Sequence, residues 1–156
     1  MSARELDSPG VVAPPPLIYL AGMALAFGIE LVWPVSLFPA AIRYPAGAGL
    51  IAAGLLVVAL AFRRFRTAGT HIEPYKPTTA IVTDGLYGFS RNPIYVAMTV
   101  ATVGVGILAD NVWVFALLVP TLAVMRYGVI AREERYLERK FGDDYLRYKA
   151  SVRRWL

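Results

Sequence analysis

The chain has 156 residues, and 57% of them are hydrophobic, with a mean hydropathy of +0.52. A composition this apolar excludes an ordinary soluble domain, whereas the length suffices for one membrane domain built from a few spanning helices. The sequence contains no cysteine and a single histidine, His71, which excludes disulfides, thiol nucleophiles and a metal cluster held by Cys or His.

The net charge of +5 raises the question of a nucleic-acid partner. The Arg and Lys residues, however, flank the apolar runs and do not form a patch with interleaved aromatic residues. We therefore expect no nucleic acid, and we expect the basic residues to face the anionic headgroups of the lipid bilayer.

Residues 1–16 are polar, carry both charge signs and end in three consecutive prolines, which predicts a disordered or polyproline tail. The segment lacks the basic start of a signal peptide, so we expect the apolar run after it to be retained. Residues 17–156 then form the single membrane domain.

Four apolar runs follow the tail, each about 24 to 28 Å long at helical rise. Asp110 and Asn111 predict a tight turn between the last two runs, and Pro120 should kink the fourth. Small residues in the second run favour close helix contact. The sequence therefore predicts an all-α bundle of about four transmembrane helices plus a cytoplasmic C-terminal helix, with spans at residues 17–33, 45–62, 94–109 and 112–130.

The connections between the runs give two further expectations. Glu30 lies near the outer end of the first run, where its carboxylate should reach headgroup water or pair with Arg43. Residues 80–83 are read either as a brief strand or as a half-buried turn, and the sequence leaves both open.

Counting Arg and Lys residues predicts the orientation. Residues 63–93 hold five of them and residues 126–156 hold nine, whereas the two opposite connections hold only Arg43. Under the positive-inside rule, both termini and the loop containing His71 face the cytoplasm. We thus expect a multi-pass protein of the inner membrane.

The stretch from Asp84 to Ala97 reads D-G-L-Y-G-F-S-R-N-P-I-Y-V-A and stands directly before the third apolar run. Pro93 disfavours a helical conformation at Asn92 and suits the first turn of the next helix, so the amides that open this helix point back toward Arg91. These residues suit an active site at the membrane surface. Alternatively, the arginine is a positive-inside anchor and the tyrosines form an aromatic belt.

A charged run occupies residues 132–149 and reads R-E-E-R-Y-L-E-R-K-F-G-D-D-Y-L-R-Y-K. Arg126 precedes it within the last apolar turns, where a cation is costly unless it has a partner or reaches water. Glu133 follows Arg126 by seven residues, about two helical turns, so we expect both to line one cleft. The alternative is that Glu133 and Glu134 only pair with neighbouring arginines.

Together, the motif G-L-Y-x-x-S-R-N-P-x-Y and the double glutamate closely resemble the isoprenylcysteine carboxyl methyltransferase family of integral membrane enzymes. They resemble the membrane phospholipid N-methyltransferases more loosely. The resemblance extends from about His71 to the C-terminus. One departure is visible, since the family's arginine-histidine-proline reads Arg91, Asn92, Pro93 here, and this argues against a mechanism that needs an imidazole.

The resemblance implies S-adenosylmethionine as the cofactor. The family's double glutamate falls on Glu133 and Glu134, whose carboxylates suit the ribose hydroxyls or the ammonium group of that cofactor. The remaining residues implied at the cofactor site are Tyr87, Arg91, Asn92, Pro93 and Tyr95. The two tyrosines would pack around the adenine or the sulfonium, unless they are interfacial anchors.

The implied reaction is transfer of a methyl group to a lipophilic small-molecule acceptor, first of all a carboxylate such as a prenylcysteine-like compound. A carboxylate needs no general base, and Arg91 or Arg126 would hold it. Three alternatives stay open: a phospholipid amine N-methyltransferase, a non-catalytic membrane adaptor, and an NADPH enzyme resembling sterol reductases. Neither the acceptor nor the oligomeric state follows from the sequence.

Overall fold

The computed structural model describes residues 8–67, 69 and 78–156. His71 and most of the loop around it lie outside these described residues, so the orientation of that loop stays a prediction. The described part of the chain is helical and contains no strand. Its elements are α1 (Pro15–Glu30), α2 (Ala40–Thr67), a 3₁₀ helix (Gly85–Gly88), α3 (Pro93–Leu108), α4 (Val112–Val124), a π-helical turn (Met125–Ile130), α5 (Ala131–Phe141) and α6 (Asp143–Ser151).

The helical, membrane-type architecture agrees with the sequence prediction. Two helices, Ala40–Thr67 and the continuous Val112–Phe141, are long and apolar enough to cross a membrane. Two more, α1 and α3, are apolar but about 24 Å long, shorter than a hydrocarbon core of about 30 Å. The count of four spans therefore stays a prediction.

Helix α2 begins five residues before the predicted start at Pro45, which lies inside the helix. The carbonyl of Pro39 accepts the amides of Ile42 and Arg43 at 2.9 and 3.1 Å, and these bonds start the helix early. Residues 80–83 are irregular, and Val82 among them is buried. Of the two readings for this segment, the structure has the half-buried turn.

Asp110 and Asn111 form the expected turn between α3 and α4. Asp110 adopts a left-handed φ of 55°, and one oxygen of its carboxylate accepts the amides of Leu37 and Phe38 at 2.8 Å each. Arg43 lies 3.6 Å from the other oxygen of Asp110, so it pairs with Asp110 and not with Glu30 as one expectation had it. Through these contacts the α3–α4 turn holds the connection between α1 and α2, at the end of the bundle far from the 3₁₀ helix.

The part of the N-terminal segment that the structure describes is ordered against the bundle. The Val12 amide donates to the carbonyl of Gly128 at 3.1 Å, and Arg132 donates to the Gly10 carbonyl at 2.7 Å. Gly128 belongs to the π-helical turn, and a Cβ atom there would lie 2.6 Å from Val12. From Ser8 onward, the segment predicted as a disordered tail therefore lies against the π-helical turn.

Glycines allow α2 and α3 to approach closely. A Cβ at Gly54 would lie 2.7 Å from the carbonyl oxygen of Ala97 and 2.9 Å from the Cβ of Ala101. A Cβ at Gly104 would lie 2.8 Å from the carbonyl oxygen of Gly47. Because backbone atoms cannot move aside, these contacts set the distance between the two helices, as the small residues of the second run predicted.

Gly54→Ala should lower the melting temperature in detergent, since the added methyl group forces α2 from α3. We expect overpacking of about 1 to 3 kcal/mol to exceed the gain of up to about 1 kcal/mol in helix propensity. Gly49→Ala is the matched control, because no atom lies within 4 Å of a Cβ there. Equal melting temperatures for the two variants would contradict the proposed close contact.

Candidate active site

A cavity lies where the 3₁₀ helix, the start of α3, α5 and α6 meet. Most of the residues predicted for a cofactor site line it, as do several that the sequence did not single out. Its lining residues are Pro9, Phe65, Thr78, Ala80, Ile81, Val82, Tyr87, Arg91, Asn92, Ile94, Tyr95, Glu133, Glu134, Tyr136, Leu137, Tyr145 and Tyr148. Pro93 is buried at the first position of α3 and does not line the cavity.

The start of α3 positions the motif residues. Asn92 occupies the N-cap position of α3 with a φ of −131° and a ψ of 50°, outside the helical region as Pro93 favours, but its side chain makes no capping hydrogen bond to the helix. Instead, its side-chain amide donates to the carbonyl of Arg154 at 2.9 Å. Asn92, at the position of the family's histidine, therefore holds the C-terminal segment in place.

Glu134 sits between two arginines. Arg154 donates from Nε to Oε1 at 2.9 Å and from Nη2 to Oε2 at 2.7 Å, a bidentate pair. Arg91 approaches the same carboxylate, with its Nη1 3.2 Å from Oε1. The side chains of Arg91 and Glu134 are only 9% and 8% exposed, so this is a buried cluster with one net positive charge.

Arg91 keeps donors that no described residue uses. Its Nε and Nη1 atoms are buried and make no hydrogen bond within the described part of the chain, because the 3.2 Å approach to Glu134 lacks hydrogen-bond geometry. Leaving a buried donor unpaired costs about 1 to 3 kcal/mol, and more for a charged group. Arg91 lines the cavity, and a guanidinium with unpaired donors suits an anionic ligand group such as a carboxylate.

Glu133, the other glutamate of the pair, is oriented by Tyr95. The Tyr95 hydroxyl donates to Oε1 of Glu133 at 2.6 Å. The second oxygen of Glu133 takes no hydrogen bond from another described residue, and Glu133 is only half-buried. The cavity lining thus includes the carboxyl group of Glu133 and the guanidinium of Arg91, and together these two groups suit the two charged ends of a zwitterion.

Tyrosines supply the neutral wall of the cavity. Burial raises the pKa of Tyr145 to about 12 and the pKa of Tyr148 still further. Both hydroxyls therefore stay protonated at neutral pH, and that of Tyr148 donates to the carbonyl of Tyr87 at 2.8 Å. This bond joins α6 to the 3₁₀ helix and closes one side of the site.

Arg126 lines a second cavity, an apolar groove of about 540 Å³ along α3 and α4. It is exposed there beside the ring of Tyr127, and it has no ion pair with another described residue. The groove is lined by Val96, Thr99, Val100, Leu122, Ala123, Arg126, Tyr127, Trp155 and Leu156. Arg126 and Glu133 therefore do not line one cleft, contrary to the expectation from their spacing.

The π-helical turn explains this separation. A π-helical turn contains an additional residue compared with an α-helical turn, and one residue corresponds to a rotation of about 100° around the helix. The seven residues from Arg126 to Glu133 include that turn, so the two side chains leave the helix in different directions. Nothing in the spacing of the apolar residues signals the extra residue.

Sequence reasoning missed Arg154, which provides the bidentate partner of Glu134. It also missed Tyr145, Tyr148 and Val82 as lining residues. A faint signal exists for Arg154, since it follows Arg153 in a short stretch with no acidic residue nearby. A partner 20 positions away could not be assigned from that signal.

The fold and the cavity define a helical, membrane-type protein with a cavity lined by charged and aromatic residues at one end of its bundle. Residues 42–144 match the family described as phospholipid methyltransferase, and because this match covers more than half of the chain, the protein belongs to that family. The resemblance to the isoprenylcysteine carboxyl methyltransferases and the related phospholipid methyltransferases, recognised from the two motifs, is confirmed at the level of the family. Members of the family are methyltransferases and generally use S-adenosylmethionine.

Two relatives are metal-resistance proteins by name. The nickel-cobalt-cadmium resistance protein NccN of Alcaligenes xylosoxydans xylosoxydans is 34% identical over 102 residues, which cover 64% of this chain and 47% of that protein. The cobalt-zinc-cadmium resistance protein CzcN of Cupriavidus metallidurans is 33% identical over 92 residues, covering 59% and 42%. The chain thus spans less than half the length of these two relatives.

A third relative is a Haemophilus influenzae protein described as uncharacterized, which is 63% identical over 35 residues, 22% of this chain and 56% of that protein. No solved structure matches the chain.

Proposed function

We propose that this protein transfers a methyl group from S-adenosylmethionine to a lipophilic acceptor in the membrane, and that the acceptor group is a carboxylate. The observation that carries the proposal is that one cavity is lined both by Arg91, two of whose donors make no hydrogen bond with a described residue, and by Glu133, whose carboxyl group Tyr95 orients. Membership in a methyltransferase family supports the reaction type.

The described residues fit the amino-acid end of that cofactor. Arg91 would bind its carboxylate, while Glu133 would accept hydrogen bonds from its ammonium group or from ribose hydroxyls. The cavity volume of about 120 Å³ is below the roughly 300 to 1,000 Å³ of typical small-molecule sites, so these residues enclose only the charged end of such a ligand. When bound, S-adenosylmethionine supplies an electrophilic methyl group on a sulfonium.

The protein's own contribution is binding, orientation and exclusion of water. Tyr95 fixes the direction of the Glu133 carboxylate, and the bond between Tyr148 and Tyr87 closes the wall beside it. Methyl transfer is a displacement at carbon, which depends mainly on alignment of the two reactants. A carboxylate acceptor needs no proton removed, in keeping with an asparagine at position 92.

The groove along α3 and α4 suits the acceptor. Its walls are mainly apolar, and Arg126 is a cation without an ion pair among the described residues. A lipophilic compound with an anionic group matches both features. Trp155 lines this groove, and the preceding residue, Arg154, is hydrogen-bonded to Glu134 of the first cavity, so the C-terminal segment connects the two sites.

A phospholipid amine is the second candidate acceptor, and the description of the matched family favours it. An amine must lose a proton before or during attack. Glu133 is the carboxylate at the cavity that would accept this proton, so its importance would rise for an amine acceptor.

Methyl transfer from labelled S-adenosylmethionine into a membrane lipid extract tests the function. We expect label in a lipid fraction that mild alkali releases as methanol, because a methyl ester hydrolyses whereas a methylated amine does not. Alkali-stable label would identify the amine reading. Absence of label and of cofactor binding would remove the proposal altogether.

Glu133→Gln should weaken binding of S-adenosylmethionine about tenfold or more, which corresponds to the loss of about 1.5 to 3 kcal/mol for a charged hydrogen-bond partner. Glu138→Gln is the matched control on the same helix, because Glu138 pairs with Lys149 and does not line the cavity. Isothermal titration of both variants measures the difference. Unchanged affinity in Glu133→Gln would show that this carboxylate takes no part in binding the cofactor.

Arg126→Lys should keep most cofactor affinity yet lower turnover roughly tenfold or more, since an ammonium cannot hold a carboxylate in the plane that a guanidinium fixes. Cofactor affinity and turnover are measured in parallel on the same preparation. Turnover equal to the parent would leave Arg126 as an anchor in the headgroup region.

We also propose that the cavity faces the cytoplasm. Arg63, Arg64 and Arg66 lie at the end of α2 beside the cavity, and α5 and α6 carry further basic residues. Single cysteines replacing Val35 and Arg139, both exposed, should then react with an impermeant reagent from opposite sides of the membrane. Reaction of both from one side would exclude this orientation.

A further inference from the structure

The segment at residues 153–156 is fixed to the motif at the start of α3 by its backbone. The Arg91 amide donates to the carbonyl of Arg153 at 2.9 Å, and the side-chain amide of Asn92 donates to the carbonyl of Arg154, also at 2.9 Å. These bonds hold the backbone of Arg154 beside Arg91. Arg91 and Asn92 therefore fix the position from which the Arg154 side chain reaches Glu134.

From this position Arg154 occupies both oxygens of Glu134. The fork of its guanidinium meets the carboxylate at 2.9 and 2.7 Å, whereas Arg91 makes a single longer approach of 3.2 Å to one oxygen. Arg91 is thus the weaker partner of Glu134, although it is the more buried of the two arginines, with 9% of its side chain exposed against 30%.

Removing Arg154 would change what Arg91 does. Glu134 would be a buried carboxylate with one remaining cationic neighbour, and such a charge strongly favours a closer partner. Nη1 of Arg91 already lies 3.2 Å from one oxygen of that carboxylate, and the guanidinium would turn fully toward it. The cluster would then be neutral and would lack donors for an anionic ligand.

We propose that Arg154 is a positioning residue that saturates Glu134 and thereby keeps the donors of Arg91 available for the carboxylate of S-adenosylmethionine. This inference rests on the proposed function and assigns Glu134 an indirect role toward the cofactor. The plainer alternative is that Arg154 only clasps the C-terminal segment to α5. In that case every ligand of the cavity would be affected alike.

The test compares S-adenosylmethionine with its decarboxylated analogue, which keeps the sulfonium and the nucleoside but has no carboxylate. Arg154→Gln should weaken binding of the parent cofactor about tenfold and leave the affinity for the analogue within twofold. Arg135→Gln is the matched control. Arg135 is the residue next to Glu134, its side chain is exposed, and it lines neither cavity.

The double variant Arg154→Gln with Glu134→Gln gives a second readout. Once the competing carboxylate is removed, Arg91 is released, so the double variant should regain most of the affinity that Arg154→Gln loses. If Arg154 only clasps the C-terminal segment to α5, the double variant should show no recovery, since it lacks both partners of the contact. Equal losses for cofactor and analogue, or no recovery in the double variant, would overturn the inference while the proposed function stands.

Failure of the wild-type protein to bind S-adenosylmethionine is a separate outcome and overturns the proposed function together with this inference. Melting temperatures of all variants, measured in the same detergent, identify any variant that fails to fold. If Arg154→Gln fails to fold, Arg154→Lys is used in its place, because an ammonium keeps the charge but cannot span both oxygens of Glu134. It should show the same selective loss toward the carboxylate-bearing cofactor.

Discussion

The buried carboxylate of Glu134 connects the parts of the chain that build the site. It joins α5 to the start of α3 through Arg91 and to the C-terminal segment through Arg154. A buried ion pair adds little net stability when complete, but losing one partner costs about 3 to 5 kcal/mol because an uncompensated charge remains. The cluster is therefore better understood as a device that fixes geometry than as a source of stability.

The π-helical turn at Met125–Ile130 separates the residues that line the two cavities. It rotates the helix between Arg126 and Glu133, so a single continuous helix presents one residue to the apolar groove and the other to the polar cavity. Within this turn, the carbonyl of Gly128 accepts a hydrogen bond from the amide of Val12. Such turns are often found at functional sites, where they redirect side chains without breaking a helix.

Close contact between α2 and α3 supports both surfaces. The glycines at their interface bring the end of α2 beside the start of α3, where Phe65 packs edge-on against Tyr87 at a ring distance of 5.3 Å. The same helix α3 then carries Tyr95 toward the cavity and Thr99 toward the groove, one turn apart.

The sequence by itself determined the helical class, the approximate helix ends and the residues of the motif. Runs of apolar residues, Pro93 after Asn92, and the pair Asp110 and Asn111 act locally, so they can be read without knowing the rest of the fold.

Only the tertiary structure decided how the charged residues are used. Arg154 pairs with Glu134 across 20 positions, two donors of Arg91 make no hydrogen bond among the described residues, and Arg126 lies in a different cavity from Glu133. These outcomes depend on where the C-terminal segment packs and on one additional residue in the π-helical turn. Neither is recorded in periodicity, because ion pairs form between whichever charges the packed helices bring together.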